Sequence, residues 1–268
     1  MKKLLLISAT TGLLAAPAAP VLAQDSPHTL SANVGLFSQY IFRGTAQTAG
    51  KPALQGGFDY GHSSGLYLGT WASNISWLQD FAAYNRSSLE WDVYGGFKKG
   101  FGDFYIDVGT LYYYYPGRVN PGFFKADTWE IYAGVGWKFL GLKYSYSLKD
   151  YFGARPNANA DRTRGTGYLD FFVDYPIGET GLSVNAHYGV LKVKNDGTQA
   201  LATEVSYNDW KIGAAYTVPS GMLKDVQVGV YYTDTNVKKT PAGTSFWVDG
   251  TAYDTAKPAV VAYVKKTF

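Results

Sequence analysis

A chain of 268 residues with no linker rich in Pro, Ser or charge has the length of one large domain, and its 31 Gly, 23 Tyr, 15 Phe and 7 Trp suit strands, tight turns and interfacial rings. The formal charge of +3 owes two units to Lys2 and Lys3 of an N-terminal leader; without them 22 basic residues face 21 acidic ones, and no basic stripe remains for nucleic acid. The absence of Cys excludes a disulfide framework, and the absence of eighteen consecutive apolar residues excludes a membrane-spanning helix.

The leader comes first. Lys2 and Lys3, the apolar run Leu4 to Leu14, and Val21-Leu22-Ala23 before Gln24 predict a secretory signal over residues 1–23, leaving a mature domain over 24–268. In the next segment Leu30, Ala32, Val34, Leu36, Tyr40 and Phe42 alternate with Ser31, Asn33, Gly35, Gln39 and Arg43, a period of two that predicts a strand over 30–43. Further strands are expected near 52–60, 66–75, 87–97, 104–115, 128–138, 142–151, 168–175, 182–191, 208–218, 225–235 and 258–268. Short turns such as Gly61 to Gly65, Phe139-Leu140-Gly141 and Pro219-Ser220-Gly221 alternate with longer polar loops such as Phe152 to Gly167 and Asn236 to Lys257. The fold class that follows is all-β: an antiparallel transmembrane β-barrel of about twelve strands, with short periplasmic turns and long extracellular loops.

Charge divides the two faces of these strands. Of roughly sixty residues assigned to the lipid face only Lys266 is charged, as expected where an Arg or Lys at the midplane costs about 2–4 kcal/mol. The opposite face collects Arg43, Asp59, Glu90, Asp92, Asp107, Glu130, Lys143, Lys149, Asp170, Asp174, Asp209 and Lys211, which are the candidate pore-lining residues. Aromatic girdles are expected from Tyr40, Phe42, Tyr112, Tyr114, Trp129, Trp210 and Tyr232 at the outer ends, and from Tyr60, Phe97, Phe104, Trp137, Tyr175, Tyr216 and Phe268 at the inner ends. The third strand fits only if Tyr67 and Trp71 face the lumen, unless a bulge reverses it locally.

Several strings resemble one known family: Ser38-Gln39-Tyr40-Ile41-Phe42-Arg43-Gly44, Gln55-Gly56-Gly57-Phe58-Asp59-Tyr60, Gly69-Thr70-Trp71-Ala72-Ser73-Asn74, Asp92-Val93-Tyr94-Gly95-Gly96-Phe97, Tyr112-Tyr113-Tyr114-Tyr115-Pro116-Gly117, Lys143-Tyr144-Ser145-Tyr146-Ser147 and Gly167-Tyr168-Leu169. Together they resemble the TorF-like porins of Gram-negative bacteria over nearly the whole mature chain. The resemblance implies an outer-membrane location and a porin role. The last strand is similar to an outer-membrane assembly signal in Val260, Ala262, Val264 and Phe268 and departs from it at Lys266, whose long side chain can snorkel. The expected partners are outer-membrane lipids, the barrel assembly machinery and small hydrophilic solutes; oligomeric state stays open.

Local imitations of chemistry carry little. Gly44 to Lys51 lacks the spacing and the Ser or Thr of a phosphate loop, and Asn236, Asp249 and Asp254 lack the regular spacing of a calcium loop, so neither cofactor nor metal is expected. A barrel enzyme would need a base, and among His28, His62 and His187 only His187 faces the lumen, with Asp170 or Asp174 as an orienting partner. A structural or adhesive barrel presenting its loops is the third reading. The inward glycines Gly35, Gly57, Gly69, Gly96, Gly109, Gly134, Gly136, Gly189, Gly213 and Gly229 allow strand curvature and room for inward Tyr67, Trp71, Tyr94 and Tyr132, or an unfilled passage, and the two are compatible. The favoured reading is a narrow, weakly selective pore and not an enzyme. Arg43, at the outer end of the first strand, is expected to pair with Asp59 or to constrict the mouth.

Overall fold

The computed structural model describes residues 26–155, 162–195, 205–238 and 250–268. The predicted leader and Asp249 lie outside the described residues. Twelve strands form the wall: β1 (His28–Phe37), β2 (Ala53–His62), β3 (Leu66–Asn74), β4 (Leu89–Phe101), β5 (Phe104–Tyr114), β6 (Thr128–Trp137), β7 (Leu140–Ser147), β8 (Gly167–Pro176), β9 (Leu182–Lys192), β10 (Tyr207–Thr217), β11 (Val226–Thr235) and β12 (Ala259–Thr267). Each pairs antiparallel with its sequence neighbours, and β1 pairs with β12 from Asn33↔Thr267 to Phe37↔Tyr263, which closes the sheet into a barrel without an edge. Connections are short at one end and long at the other, so the barrel has a short-turn mouth and a long-loop mouth.

The period of two sets the faces. Leu30, Phe58, Ile212 and Val260 stand 69%, 68%, 57% and 63% exposed on the outside, while their neighbours Ser31, Gly57, Lys211 and Val261 turn inward. A water-soluble barrel would bury such side chains; here they form an apolar band that only hydrocarbon can cover. Trp71 is 4% exposed and Tyr67 lines the interior, so β3 keeps its frame without a bulge. Trp129, Trp210 and Tyr232 lie on the outer surface toward the long loops, and Phe104, Trp137, Tyr175, Tyr216 and Phe268 toward the short turns. Lys266 behaves as a snorkelling residue, donating to the Lys224 carbonyl in the turn beyond the band. Val108→Arg, on the outward face, should therefore cut folding into lipid vesicles far more than Asp107→Arg on the inward face, by about 2–4 kcal/mol at midplane depth. Equal losses, read as the folded fraction after dilution from urea, would reverse the assignment of faces.

Two strand ends differ from expectation. The first strand stops at Phe37 and not at residue 43, because the chain leaves the wall at Ser38 and turns into the lumen. Tyr40 and Phe42 are accordingly interior residues and not girdle residues; Tyr40 is 4% exposed among Trp71, Tyr113 and Tyr115. The seventh strand stops at Ser147 and not at 151, so the alternation no longer governs Lys149. That lysine is exposed and rests its ammonium 5.1 Å from the centre of the Tyr112 ring. It does not line the lumen.

Candidate functional site

The site is the interior of the barrel, and its first determinant is the segment from Ser38 to Lys51 that crosses it. Ile41–Phe42 pairs with Thr45–Ala46 in a short ribbon whose tip is Arg43-Gly44. Both tip residues have positive φ, 46° and 78°, as the tightest hairpin turns require. A side chain at position 44 would collide with Thr235 and Asp209, its Cβ falling 2.5 Å from Thr235 Cγ2 and 2.6 Å from Asp209 Cβ, so glycine lets the tip seat against β10 and β11. Tyr207 fastens it there, donating to the Arg43 carbonyl at 2.7 Å. The base of the segment is held by the Tyr40 hydroxyl, which donates to Glu90 at 2.6 Å. Burial and the Glu90 charge raise the pKa of that hydroxyl, so it stays a donor.

Arg43 spans the lumen to Glu130 on β6 in a two-pronged ion pair, Nη1 to Oε1 at 2.9 Å and Nη2 to Oε2 at 2.8 Å, with the side chains 7% and 3% exposed. Nη1 also donates to the Tyr151 hydroxyl at 3.1 Å, and the guanidinium lies 4.3 Å from the Tyr168 ring centre. Burial opposes its charge, and Glu130 more than compensates, so the guanidinium holds its proton more firmly than a free arginine does. The expected Arg43–Asp59 pair does not form. Asp59 accepts the Tyr94 hydroxyl at 2.5 Å, and Arg43, being on the inward ribbon and not on β1, reaches the opposite wall.

The other candidates sort by depth. Toward the long loops Glu90 accepts both Tyr40 and Tyr115, and Asp92, fully buried, has no hydrogen-bond partner on either carboxylate oxygen among the described residues. Around them Leu78, Tyr84, Leu111 and Tyr113 form a buried cluster against which Phe152 packs; a second cluster gathers Tyr151, Tyr168, Leu191 and Tyr207. Lower down, charges of opposite sign meet across strands: Asp107 stands opposite Lys98 and accepts Tyr67 at 2.7 Å, and Lys143 stands opposite Asp170. His187 is clamped by two carboxylates, Nδ1 to Asp170 at 3.0 Å and Nε2 to Asp209 at 3.1 Å, and Lys211 stands opposite it in the register and lines the cavity. Lys98 and Lys265 belong to this lining and were missed. Continuing the inward frame of Tyr94 and Gly96 two residues would have found Lys98, and the outward Lys266 makes its neighbour Lys265 inward.

Several of the inward glycines are seats for rings. A Cβ at Gly69 would overlap the Tyr94 ring, at Gly96 and Gly109 the hydroxyls of Tyr67 and Tyr132, and at Gly136 the Tyr105 ring. Each of these tyrosines lies against a glycine of the adjacent strand, as the room-for-rings reading expects. What remains open is a cavity of ≈ 460 Å³ reaching from the Gly61–Leu66 turn at the short-turn mouth up to Arg43.

A closed twelve-stranded antiparallel barrel, apolar outside and charged inside with a segment folded into its lumen, has the porin fold. Two solved structures share it: one described as the KdgM porin (TM-score 0.51, 10% identity, 89% of this chain and 98% of that one), and one as the NanC porin (TM-score 0.53, 13% identity, the same coverages). No curated protein matches the sequence. The chain belongs to the Gcw_chp family, described as bacterial protein of unknown function, which it matches over residues 22–268.

Proposed function

We propose that the protein is an outer-membrane porin of the TorF-like kind, a narrow and weakly selective aqueous channel for small hydrophilic solutes or ions. In this reading the short-turn mouth opens to the periplasm, lipid surrounds the apolar band, and the assembly machinery recognises the last strand. The observation that carries it is the cavity of ≈ 460 Å³ walled by charges of both signs, Lys98, Lys143 and Lys211 against Asp59 and Asp107, and ending at the Arg43–Glu130 pair. A hydrated interior of balanced sign passes small polar species with little preference, because strong discrimination needs rings of one sign. The inward ribbon closes the upper end of this cavity at Arg43, below the buried aromatic cluster of the long-loop end. The enzyme reading is the weaker one: a general base needs a free nitrogen toward its substrate, and both nitrogens of His187 face carboxylates.

The test is single-channel recording with protein purified in detergent and inserted into planar bilayers. Small, stable steps with modest ion preference are expected. Folded protein, β-rich by circular dichroism, that gives no current above that of an empty bilayer would overturn the channel reading and favour a barrel that presents its loops.

A further inference from the structure

His28 and His62 lie far apart in sequence, yet β1 begins with one and β2 ends with the other, and the antiparallel register sets them directly opposite. Both share the outward parity of Leu30 and Phe58, so the pair sits at the rim of the short-turn mouth, below the apolar band, where His62 also borders the cavity. Their ring centres are 5.2 Å apart and the planes are inclined by 51°. Each ring is already held through Nδ1: that of His28 is 2.7 Å from the Tyr60 hydroxyl, and that of His62 is 2.7 Å from Ser64 Oγ and 3.1 Å from the Ser64 amide. Neither Nε2 has a partner among the described residues.

This arrangement meets the requirements of a metal-binding pair. Two imidazoles bound through nitrogen to one tetrahedral zinc at about 2.0–2.1 Å place their ring centres about 5 Å apart, which is the separation here. A ligating histidine donates its other N–H to an oxygen that fixes the tautomer, and Tyr60 Oη and Ser64 Oγ stand where those acceptors are needed. Binding would make the Nδ1 of His62 a donor to Ser64 Oγ, and the Ser64 amide, in an exposed turn, would turn to water. Imidazole nitrogens suit zinc, copper and nickel, whereas calcium and magnesium take oxygen. Among the described residues no group of three or more His, Asp, Glu or Cys is placed to hold a metal, so the remaining positions belong to water or a small external ligand. We propose that His28 and His62 form an open two-histidine site for a borderline divalent cation, zinc by geometry, that ties the ends of β1 and β2 together at the short-turn mouth. The site is independent of the channel reading.

The test uses the full protein folded in detergent and purified without a histidine tag, titrated calorimetrically with zinc chloride. One equivalent per chain with micromolar affinity is expected. His28→Ala and His62→Ala should each weaken binding at least tenfold, and Tyr60→Phe, which keeps both ligands and removes one orienting oxygen, by about tenfold. Copper(II) loaded at one equivalent should show magnetic coupling to two nitrogens in its paramagnetic resonance spectrum and to one in either alanine variant. Uptake only at millimolar zinc, or uptake unchanged in both alanine variants, would overturn the site.

Discussion

Replacing Arg43 by Glu should raise single-channel conductance several-fold and shift ion preference toward cations. In the native lumen the guanidinium reaches across to Glu130 through two short bonds, with both side chains nearly excluded from water. Substitution sets two carboxylates against each other. At an effective dielectric of about 20, that exchanges an attraction of about 4 kcal/mol at about 4 Å for a repulsion of about 2–3 kcal/mol at the roughly 6–7 Å that the shorter side chain leaves. The Tyr207 bond to the Arg43 carbonyl, worth about 1 kcal/mol, cannot hold the tip against it. The ribbon should therefore leave its seat and widen the passage, while the charge at the constriction changes by two units where low-dielectric walls focus the field. High salt should reduce the change in preference more than the change in conductance, because screening acts on charge and not on width. The swap Arg43→Glu with Glu130→Arg restores opposite signs and should return conductance toward the native value. If Arg43→Glu folds normally and conducts as the native protein does, the pair does not control the passage.

The barrel wall was legible because one rule sets it: alternation along each strand, checked by the scarcity of charge on one face. Leu30, Phe58, Ile212 and Val260 fall where that rule puts them. The interior was less legible, for a reason visible at Arg43. Alternation states on which side of a strand a residue lies, but it loses meaning once the chain leaves the wall. Tyr40 and Phe42 alternate as well as true strand residues do, because a ribbon folded against an aromatic lumen needs the same pattern. The one local signal was Gly44, a turn former directly after the expected strand end, while Arg43 takes a positive φ that its own side chain does not favour. Lys149 shows the same failure at the end of β7. Ion-pair partners lay beyond reach, since Arg43 meets Glu130 through a cross-lumen closure that no local spacing encodes. The facing of His28 and His62 also follows from a strand register, and the long inward segment between the two strands leaves the alternation to fix the faces but not the pairing.

The glycine seats lead to a prediction in which the two readings of those glycines differ in sign. Gly136→Val puts a β-branched residue in a strand. Were the lumen open above it, better strand propensity should stabilise the barrel by up to about 1 kcal/mol, and conductance should fall as the passage narrows. The Tyr105 ring instead occupies that space, with the Lys98 ammonium 4.5 Å from its centre. Val must then push the ring off its seat, at a cost of about 1–3 kcal/mol for overpacking, and the loss should show as a lower urea midpoint in detergent. Tyr105→Ala empties the seat, so in that background Gly136→Val should cost little or become favourable. The difference between the two backgrounds measures the coupling of ring and glycine directly, and direct contact predicts about 0.5–3 kcal/mol. Equal effects of Gly136→Val with and without Tyr105 would mean that the ring does not rest on this glycine. The lumen would then be wider at this level than the cavity implies.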